Sequence, residues 1–308
     1  MDKELVSIIL LSYKNLEYIE ETIDSILIQS YENIEFIIGD DGSEDFNNQK
    51  YIEYIGKKNR GNIKNVIVYS NTKNLGTVKN ANKAIGLSNG KYIKFIDADD
   101  SFYSNNVIED MYNYMIKNNS LILTTDILWC DREMNKLNKS EIVTKYRRKS
   151  LLLGNNPNVF FKKLSKKCFI PAPGVMFTKD IFKQYGMFDE DYTLIEDWPT
   201  WLKLSRQGVK FDYLDIISVK YRTEVGVSSS SNPHPIFVID NKKCIEKEIL
   251  LYKKELGYWV YRNVNYSYIR AFKFKEYSIV KKLLFILVNI DIVFMNQIKN
   301  QIKKILIK

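Results

Sequence analysis

Three carboxylates, Asp97, Asp99 and Asp100, stand within four positions directly behind the apolar run KYIKFI. Like charges at this spacing repel one another unless a cation lies among them. Mg²⁺ and Mn²⁺ prefer oxygen ligands, and Mg²⁺ commonly takes one or two protein carboxylates together with substrate phosphates. The alternative is a solvated turn before a helix, since Asp100 and Ser101 are both good N-cap residues. The motif by itself does not distinguish a metal site from a turn.

Two further acidic pairs stand elsewhere in the chain. Asp40 and Asp41 follow the apolar run IEFIIG and open the segment DDGSED, whose composition is also ordinary turn chemistry. Glu196 and Asp197 precede the amphipathic segment WPTWLKLSRQG, where acidic residues favour a helix N-terminus. A carboxylate in that place can also act as a general base toward a hydroxyl group.

Short apolar runs alternate with amphipathic segments through the N-terminal part of the chain. Apolar β-branched runs predict buried strands, and apolar residues recurring every three or four positions predict helices. Their alternation is typical of a mostly parallel, Rossmann-like α/β sheet flanked by helices. The predicted strands cover 6–13, 34–40, 65–71 and 91–97, and the predicted helices cover 16–30, 46–58 and 78–90.

This arrangement predicts where the acidic clusters meet. Ligands bind at the carboxyl ends of the strands in such sheets, and both strand-end clusters follow predicted strands, so we expect them at one edge. The second half is less regular. We predict a strand at 120–130, loop and short helix over 131–166, a helix at 197–208, one or two strands within 209–222, a flexible loop at 228–235 and helices from 236 onward.

Composition excludes several classes of protein. The three cysteines, Cys130, Cys168 and Cys244, are widely spaced and odd in number, which excludes a disulfide framework and a zinc ribbon and favours a reducing, cytoplasmic compartment. The single histidine, His234, excludes chemistry that needs a histidine pair. No GxGxxG or GxxxxGK[ST] phosphate loop occurs. The apolar stretch at the N-terminus is too short for a signal peptide.

Positive charge is concentrated at the C-terminal end. Residues 242–308 hold 15 Lys and Arg against 5 Asp and Glu, whereas the first 241 residues hold 31 against 32. The apolar run 283–295 is too short to span a bilayer, which needs about 20 residues. Residues 281–308 therefore predict an amphipathic helix lying on an anionic membrane surface. The alternative is a helix packed on the catalytic domain or on another subunit in a homo-oligomer.

Four segments together resemble family 2 glycosyltransferases of the GT-A fold: VSIILLSYKN, FIIGDDGSED, NLGTVKNANKAIGLSNGKYIKFIDADD and FDEDYTLIEDWPTWLKLSRQG. Their order and spacing carry the resemblance, which covers residues 5 to 222. It implies a nucleotide-sugar-binding half at 1–125 and an acceptor-binding, catalytic half at 126–225. A basic helical extension at 226–308 then follows.

The resemblance implies roles for the nucleotide-binding residues. Ser12 and Tyr13 correspond to a loop that lies against the nucleotide base. Asp41 corresponds to the aspartate that accepts a hydrogen bond from uracil, and Asp40 would help to hold that loop.

The segment NLGTVKNAN lies beside the nucleotide in the family. Where many members carry an arginine before the final Asn, this chain has Ala81, and Lys79 is our candidate for the missing positive charge. In DADD, Asp99 corresponds to a ribose or metal contact and Asp100 to a direct metal ligand. Asp97 stays a further candidate for the nucleotide or the ion, a divalent Mn²⁺ or Mg²⁺.

The ED motif supplies the catalytic base in the resemblance. We expect Asp197 to be the base, with Glu196 orienting it or contacting the acceptor. Trp198 is a candidate platform for the acceptor sugar, whereas Trp201 is better explained as a core residue. His234 is a weaker candidate for the metal or the diphosphate.

The predicted function is thus metal-dependent, inverting transfer of a sugar from a nucleotide-sugar, with UDP as the expected nucleotide. The acceptor would be a saccharide, a lipid-linked glycan or a protein-linked glycan in bacterial surface polysaccharide or glycoconjugate synthesis. The enzyme would be cytoplasmic and peripheral on the inner face of the cell membrane. Two alternatives remain at this point, a nucleotidyltransferase and a basic protein that binds nucleic acid through its tail; the second leaves both strand-end acidic clusters unexplained.

Overall fold

The computed structural model describes residues 3–14, 16–137, 150–223 and 234–306. The chain forms two compact units, Met1–Asn241 and Lys242–Lys308. The predicted serine-rich loop lies almost entirely outside the described residues, as does part of the predicted loop after residue 130. The predicted division of the catalytic region at 125 stays a prediction, and one strand, Ile122–Cys130, runs across it.

One eight-stranded mixed sheet organises the first unit. Its strands lie in the order β3-β2-β1-β4-β7-β6-β8-β5. The strands β1 to β4 are parallel to one another, β7 runs antiparallel between β4 and β6, and β8 is parallel to β6. The strand bounds are β1 Val6–Ser12, β2 Ile34–Asp40, β3 Ile63–Ser70, β4 Tyr92–Asp97, β5 Ser101–Phe102, β6 Ile122–Cys130, β7 Val175–Thr178 and β8 Asp212–Arg222.

The helices of this unit cover the sheet. They are α1 Ile19–Leu27, α2 Asn48–Lys58, α3 Thr77–Leu87, α4 Val107–Asn118, α5 Pro157–Leu164, α6 Asp180–Tyr185 and α7 Asp197–Arg206. On α1 the apolar stripe Ile19, Ile23 and Ile26 is fully buried with the strand residues of the core. Strands covered on both faces are mostly apolar and buried along nearly their whole length, as β1 and β2 are. The predicted mostly parallel α/β fold is therefore confirmed.

Strand register brings the acidic clusters to one edge, as expected. Ser12 at the end of β1 pairs with Asp40 at the end of β2, and Leu11 pairs with Asp97 at the end of β4. The carboxyl ends of these three adjacent strands coincide, so side chains far apart in the sequence become neighbours.

The second unit is helical. Its elements are the end of α8 Pro235–Cys244, a π-helical turn Ile245–Leu250, α9 Lys253–Leu256, α10 Tyr258–Phe272, α11 Ile279–Val288 and α12 Ile290–Leu306. The predicted helical extension is thus present. Within the described ranges, no helix combines the length and the apolar character that a bilayer span requires.

Candidate active site

Asp40 organises the loop after β2. Its carboxylate, which is fully buried, accepts hydrogen bonds from the hydroxyl groups of Ser12 (2.8 Å), Ser43 (2.6 Å) and Ser70 (2.6 Å). The backbone N–H groups of Gly42 (3.0 Å) and Ser43 (2.8 Å) donate to it as well. Five donors offset the cost of burying the charge, and they fix the turn that presents the next residue, Asp41.

Asp41 ties this loop to the segment before α3. Its Oδ1 accepts hydrogen bonds from the Asn71 side chain and the Leu75 backbone, both at 2.9 Å, and its Oδ2 accepts one from the Gly76 backbone at 2.8 Å. Each carboxylate oxygen can accept more than one hydrogen bond. Oδ2 therefore keeps acceptor capacity for a ligand, within a geometry that the protein has already fixed.

Lys83 joins the hydrogen-bond network of Asp41 through Asn71. Its Nζ donates to Asn71 Oδ1 at 2.7 Å and lies 4.2 Å from the centre of the Tyr69 ring. Lys79, which the sequence proposed for this charge, lies one turn earlier on α3, and both lysines are exposed. Sequence reasoning missed Lys83. Lys79 and Lys83 are four residues apart and share a face of α3, so the sequence alone did not favour one lysine over the other.

The DADD segment divides into an accessible and a buried part. Asp97 retains accessible surface, whereas Asp99 and Asp100 are 7% and 1% exposed. Asp100 Oδ1 accepts a hydrogen bond from the Arg222 backbone at 2.9 Å. Asp100 Oδ2 is buried and has no hydrogen-bond partner among the described residues, a costly state for a carboxylate.

Arg222 holds this segment in place. The guanidinium donates to the carbonyl of Asp99 (2.8 Å) and the carbonyl of Arg132, pairs with Glu21 (2.7 Å), and lies 4.0 Å from the centre of the Tyr18 ring. Arg222 as a whole is only 3% exposed. The guanidinium is thus occupied within the protein, in the planar multidentate manner that arginine allows.

A lysine lies beneath the same carboxylates. Lys94, on β4, is fully buried, and its Nζ donates to the carbonyls of Phe95 (2.8 Å) and Pro173. Burial lowers the pKa of Lys94 to about 7, while the charges of Asp100 and Asp97 act in the opposite direction. The sequence signal was a lone lysine inside the apolar run of β4, and it was overlooked.

Glu196 and Asp197 approach Asp97 across a small cavity. The three carboxylates line a space of about 30 Å³ together with Ala81 and Trp201. That volume accommodates a water molecule or two rather than a sugar. The short side chain of Ala81 lines this space among the acidic groups.

The carboxylates raise one another's pKa. Burial raises the pKa of Asp97 to about 7, with the charge of Asp99 adding to the effect, because protein encloses the group on the cavity side. Burial and then the charge of Asp99 raise the pKa of Asp100 well above its usual value. Burial and the charge of Asp197 do the same for the pKa of Glu196. Burial also raises the pKa of Asp197, against a 2.6 Å hydrogen bond from the Trp198 backbone.

The remaining predicted site residues lie as follows. Tyr13 is 38% exposed at the end of β1. Trp198 is half-buried, and its indole donates to the Leu164 carbonyl at 3.0 Å. Trp201 is a core residue, as expected, 1% exposed and stacked on Phe177. His234 is exposed just before α8, where its Nδ1 accepts a hydrogen bond from the Ile236 backbone at 3.3 Å.

The DADD carboxylates fit a hard divalent cation that arrives with a ligand. No group of three or more His, Cys, Asp or Glu side chains in the described part of the chain forms a ready metal cage. Mg²⁺ does not require such a cage, because it keeps water and substrate phosphates beside one or two carboxylates. The partnerless buried oxygen of Asp100 is the observation that favours a cation here.

Comparison with known proteins agrees with the fold and with the motifs. Residues 7–186 match Glycosyl transferase family 2. An uncharacterised glycosyltransferase of Methanocaldococcus jannaschii is 30% identical over 223 residues, 72% of this chain and 72% of that protein. Another from Haemophilus influenzae is 28% identical over 236 residues, 75% of this chain and 69% of that protein.

Solved structures share the architecture. TarS of S. aureus (residues 1–349), solved in complex with UDP-GlcNAc, has a TM-score of 0.60 at 19% identity, covering 87% of this chain and 74% of that chain. The mannosyltransferase PcManGT of Pyrobaculum calidifontis, in complex with GDP-Man and Mn²⁺, has a TM-score of 0.54 at 13% identity, covering 91% and 77%. At these identities the likeness establishes the fold.

The mostly parallel sheet, with acidic strand ends beside the partly buried Glu196–Asp197 pair, has the GT-A fold of these solved glycosyltransferases. Within that class, the match over residues 7–186 is decisive: the chain belongs to glycosyltransferase family 2. The expected family and enzyme class are therefore confirmed, and the nucleotidyltransferase and the nucleic-acid-binding alternatives are set aside.

Proposed function

We propose that this glycosyltransferase is a divalent-metal-dependent, inverting enzyme that transfers a sugar from a UDP-sugar. The observation that carries the proposal is the convergence of three carboxylates, Asp97 from β4 and the Glu196–Asp197 pair from α7, on one cavity at the carboxyl edge of the sheet. A donor bound along that edge would have its diphosphate near DADD and its anomeric carbon toward Asp197.

The nucleotide would bind at the loops after β1 and β2. Asp41 would accept a hydrogen bond from the imide N–H of uracil through Oδ2. Asp40 and Ser12 would hold the loop, and Tyr13 would lie against the base. Lys83 replaces Lys79 as our candidate for the cation at this end. The bound UDP-GlcNAc of TarS and GDP-Man of PcManGT support a nucleotide-sugar donor but leave the nucleotide and the sugar to experiment.

Asp99 and Asp100 would hold Mn²⁺ or Mg²⁺ together with the diphosphate. When bound, such an ion would neutralise the charge that develops on the departing nucleoside diphosphate. The chain's own part is to hold the DADD segment in place, which Arg222 does by donating hydrogen bonds to the Asp99 carbonyl and, from its backbone N–H, to Asp100 Oδ1. His234 stays a weaker candidate for the metal.

Asp197 would act as the base that takes the acceptor hydroxyl's proton. Burial raises the pKa of Glu196 well above its usual value, with the charge of Asp197 adding to the effect, and burial also raises the pKa of Asp197. Because the two carboxyl groups are adjacent, a charge on one disfavours a charge on the other; we assign the base to Asp197, because a hydrogen bond from the Trp198 backbone favours its charged form. A base works best when its pKa is near the operating pH, and burial moves Asp197 in that direction.

The acceptor would bind on the side of the site where Trp198 lies. We propose a saccharide, a lipid-linked glycan or a protein-linked glycan of bacterial surface polysaccharide or glycoconjugate synthesis, with Trp198 at its binding face. The indole is half-buried, and its N–H donates to the Leu164 carbonyl. Aromatic rings of this kind combine an apolar body with a fixed polar tip.

The test combines calorimetry with donor hydrolysis and transfer assays. UDP-, GDP- and dTDP-sugars are titrated with Mn²⁺, Mg²⁺ or chelator into the wild type and into Asp100→Asn and Asp197→Asn. We expect UDP-sugar binding to depend on the metal and to be lost in Asp100→Asn, and Asp197→Asn to bind the donor normally but to lose turnover by about a hundredfold or more.

Asp180→Asn is the matched control, because Asp180 is also the first residue of a helix but lies on α6. This control removes the same helix-terminus charge and should leave binding and turnover unchanged. Full turnover with chelator present would refute the metal, and full turnover in Asp197→Asn would refute the assignment of the base.

A further inference from the structure

The second unit displays a large apolar surface. We define the apolar surface as the exposed apolar side chains of α11 and α12, each more than a third exposed: Ile279, Val280, Leu283, Leu284, Leu287, Val288, Ile290, Phe294, Met295 and Ile298. Single exposed apolar residues are ordinary on proteins, but a contiguous run of this kind marks an interaction site.

These residues are not needed to hold the two helices in place. Phe285 on α11 stacks on Tyr266 of α10, with ring centres 5.2 Å apart and planes 3° apart. Asn289 and Ile292 continue the same inward stripe and are 8% and 5% exposed. The helices thus have an apolar inward face for packing and a second apolar face that remains in contact with solvent. Helices with apolar residues on all sides are normally buried.

Unneutralised positive charge accompanies the apolar surface. Arg270, Lys273, Lys275, Lys281 and Lys282 belong to α10, α11 and the connection between them, and no carboxylate of the described chain forms an ion pair with them. Several rest along aromatic rings; Lys281 Nζ, for example, lies 4.2 Å from the centre of the Tyr277 ring.

The acidic residue of α12 does not offset this charge. Asp291 is paired with Arg262 at 2.6 Å. The whole segment from 242 onward carries 15 basic against 5 acidic residues. The apolar surface is therefore set in a strongly basic surrounding, an arrangement suited to anionic partners.

We propose that the apolar surface docks on an anionic phospholipid bilayer, with α11 and α12 lying in the plane of the membrane interface. Leu, Ile, Val and Phe side chains would enter the acyl boundary, and the lysines would reach the phosphate layer with their stems along the apolar face. Because no described helix is long and apolar enough to cross, the helices lie on the membrane rather than span it.

A second copy of the chain is the less suitable occupant. It would bring an equally basic segment to the same interface, and like charges at close range repel. Protein interfaces are depleted of charged residues at their cores and of Lys in general. Anionic headgroups instead attract each lysine, lowering the dissociation constant by about fivefold per residue near the surface.

The test is vesicle flotation of the full chain with phosphatidylcholine alone or mixed with phosphatidylglycerol. We expect binding to the mixed vesicles that weakens as salt is raised. Leu287→Gln should weaken it by about tenfold, since one leucine no longer enters the bilayer. Leu152→Gln is the control, because Leu152 is also 61% exposed but lies in the first unit.

Charge is tested in the same way. Lys281→Gln should weaken binding to mixed vesicles by about fivefold, whereas Lys57→Gln, an exposed lysine at the end of α2, should not. UDP binding should be the same in all four variants, so this proposal can fail while the proposed function stands. Equal binding to neutral and anionic vesicles would overturn it, as would dimerisation that Leu287→Gln abolishes without any vesicle binding.

Discussion

Replacing Gly76 by alanine tests how the loop before α3 is held against Thr193, which lies just before the Glu196–Asp197 pair. Gly76 has φ 91° and ψ 157°, a conformation that side chains other than glycine avoid at a cost of about 1–3 kcal/mol. A Cβ at this position would also lie 2.5 Å from Thr193 Cγ2 and 2.6 Å from the Thr193 carbonyl oxygen. Relieving such an overlap in packed protein costs about 1–3 kcal/mol more.

Thr193 is not free to retreat. Its backbone N–H and that of Leu194 both donate to Asp240, at 2.8 and 2.7 Å, and its carbonyl accepts from Val78. Gly76 must therefore move, and its own N–H donates to Asp41 at 2.8 Å. Losing a hydrogen bond to a charged group removes about 1.5–3 kcal/mol, so UDP affinity should fall by about tenfold or more.

The matched control is Gly186→Ala. Gly186 has nearly the same backbone, φ 83° and ψ 161°, but a Cβ there would meet only the flexible end of Lys203 at 3.5 Å. Urea unfolding should therefore place Gly76→Ala about 1–3 kcal/mol below Gly186→Ala, and calorimetry should find weaker UDP binding in Gly76→Ala alone. Equal free energies of unfolding for the two variants, together with unchanged UDP affinity, would refute the idea that the contact between Gly76 and Thr193 holds the Asp41 loop.

Three further predictions concern the charges of the fold and the site. The raised pKa values of Asp97 and Asp100 mean that the folded protein keeps protons that the unfolded chain has lost, so without metal its stability should fall as the pH rises from about 4 to about 7. Melting curves should therefore show a larger stabilisation by Mn²⁺ near pH 8 than near pH 6. An equal stabilisation at both pH values would contradict binding of the ion by these carboxylates. Glu35 is fully buried, and although desolvation raises its pKa, hydrogen bonds led by one from Ser7 (2.5 Å) bring it below its usual value. Glu35→Gln should therefore lower the free energy of unfolding by about 2–4 kcal/mol at neutral pH. This difference from wild type should shrink as the pH falls through the pKa of Glu35 in the folded protein. A difference that does not depend on pH would show that the charge of Glu35 does not stabilise the fold. Arg222→Lys should lower the free energy of unfolding by about 2–4 kcal/mol, because an ammonium cannot bind the Asp99 carbonyl and Glu21 while stacking on an aromatic ring. Urea unfolding and UDP–Mn²⁺ titrations should both be affected, and a variant normal in both would mean that Arg222 does not position the proposed metal ligands.

Local patterns predicted most of the elements, because the spacing of apolar residues within one segment shows which face of a helix or strand is buried. The alternation of strands and helices predicted the parallel part of the sheet, and the parallel register then required that Asp40 and Asp97 share an edge. The antiparallel insertion of β7 between β4 and β6 was not predictable in this way. It depends on a pairing between segments far apart in the chain, which leaves no periodic signal.

The sequence by itself determined the family, the α/β architecture and the identity of the acidic motifs, because these follow from short segments and their order. Only the tertiary structure revealed which charges surround those motifs. Arg222 binds the backbone of Asp99 across 123 positions, and Lys94 lies beneath the cluster although its neighbours in sequence are apolar. Lys83 rather than Lys79 reaches the Asp41 network. Side-chain direction and long-range packing decide such contacts, so the same residue types could be recognised from the sequence but not assigned to their partners.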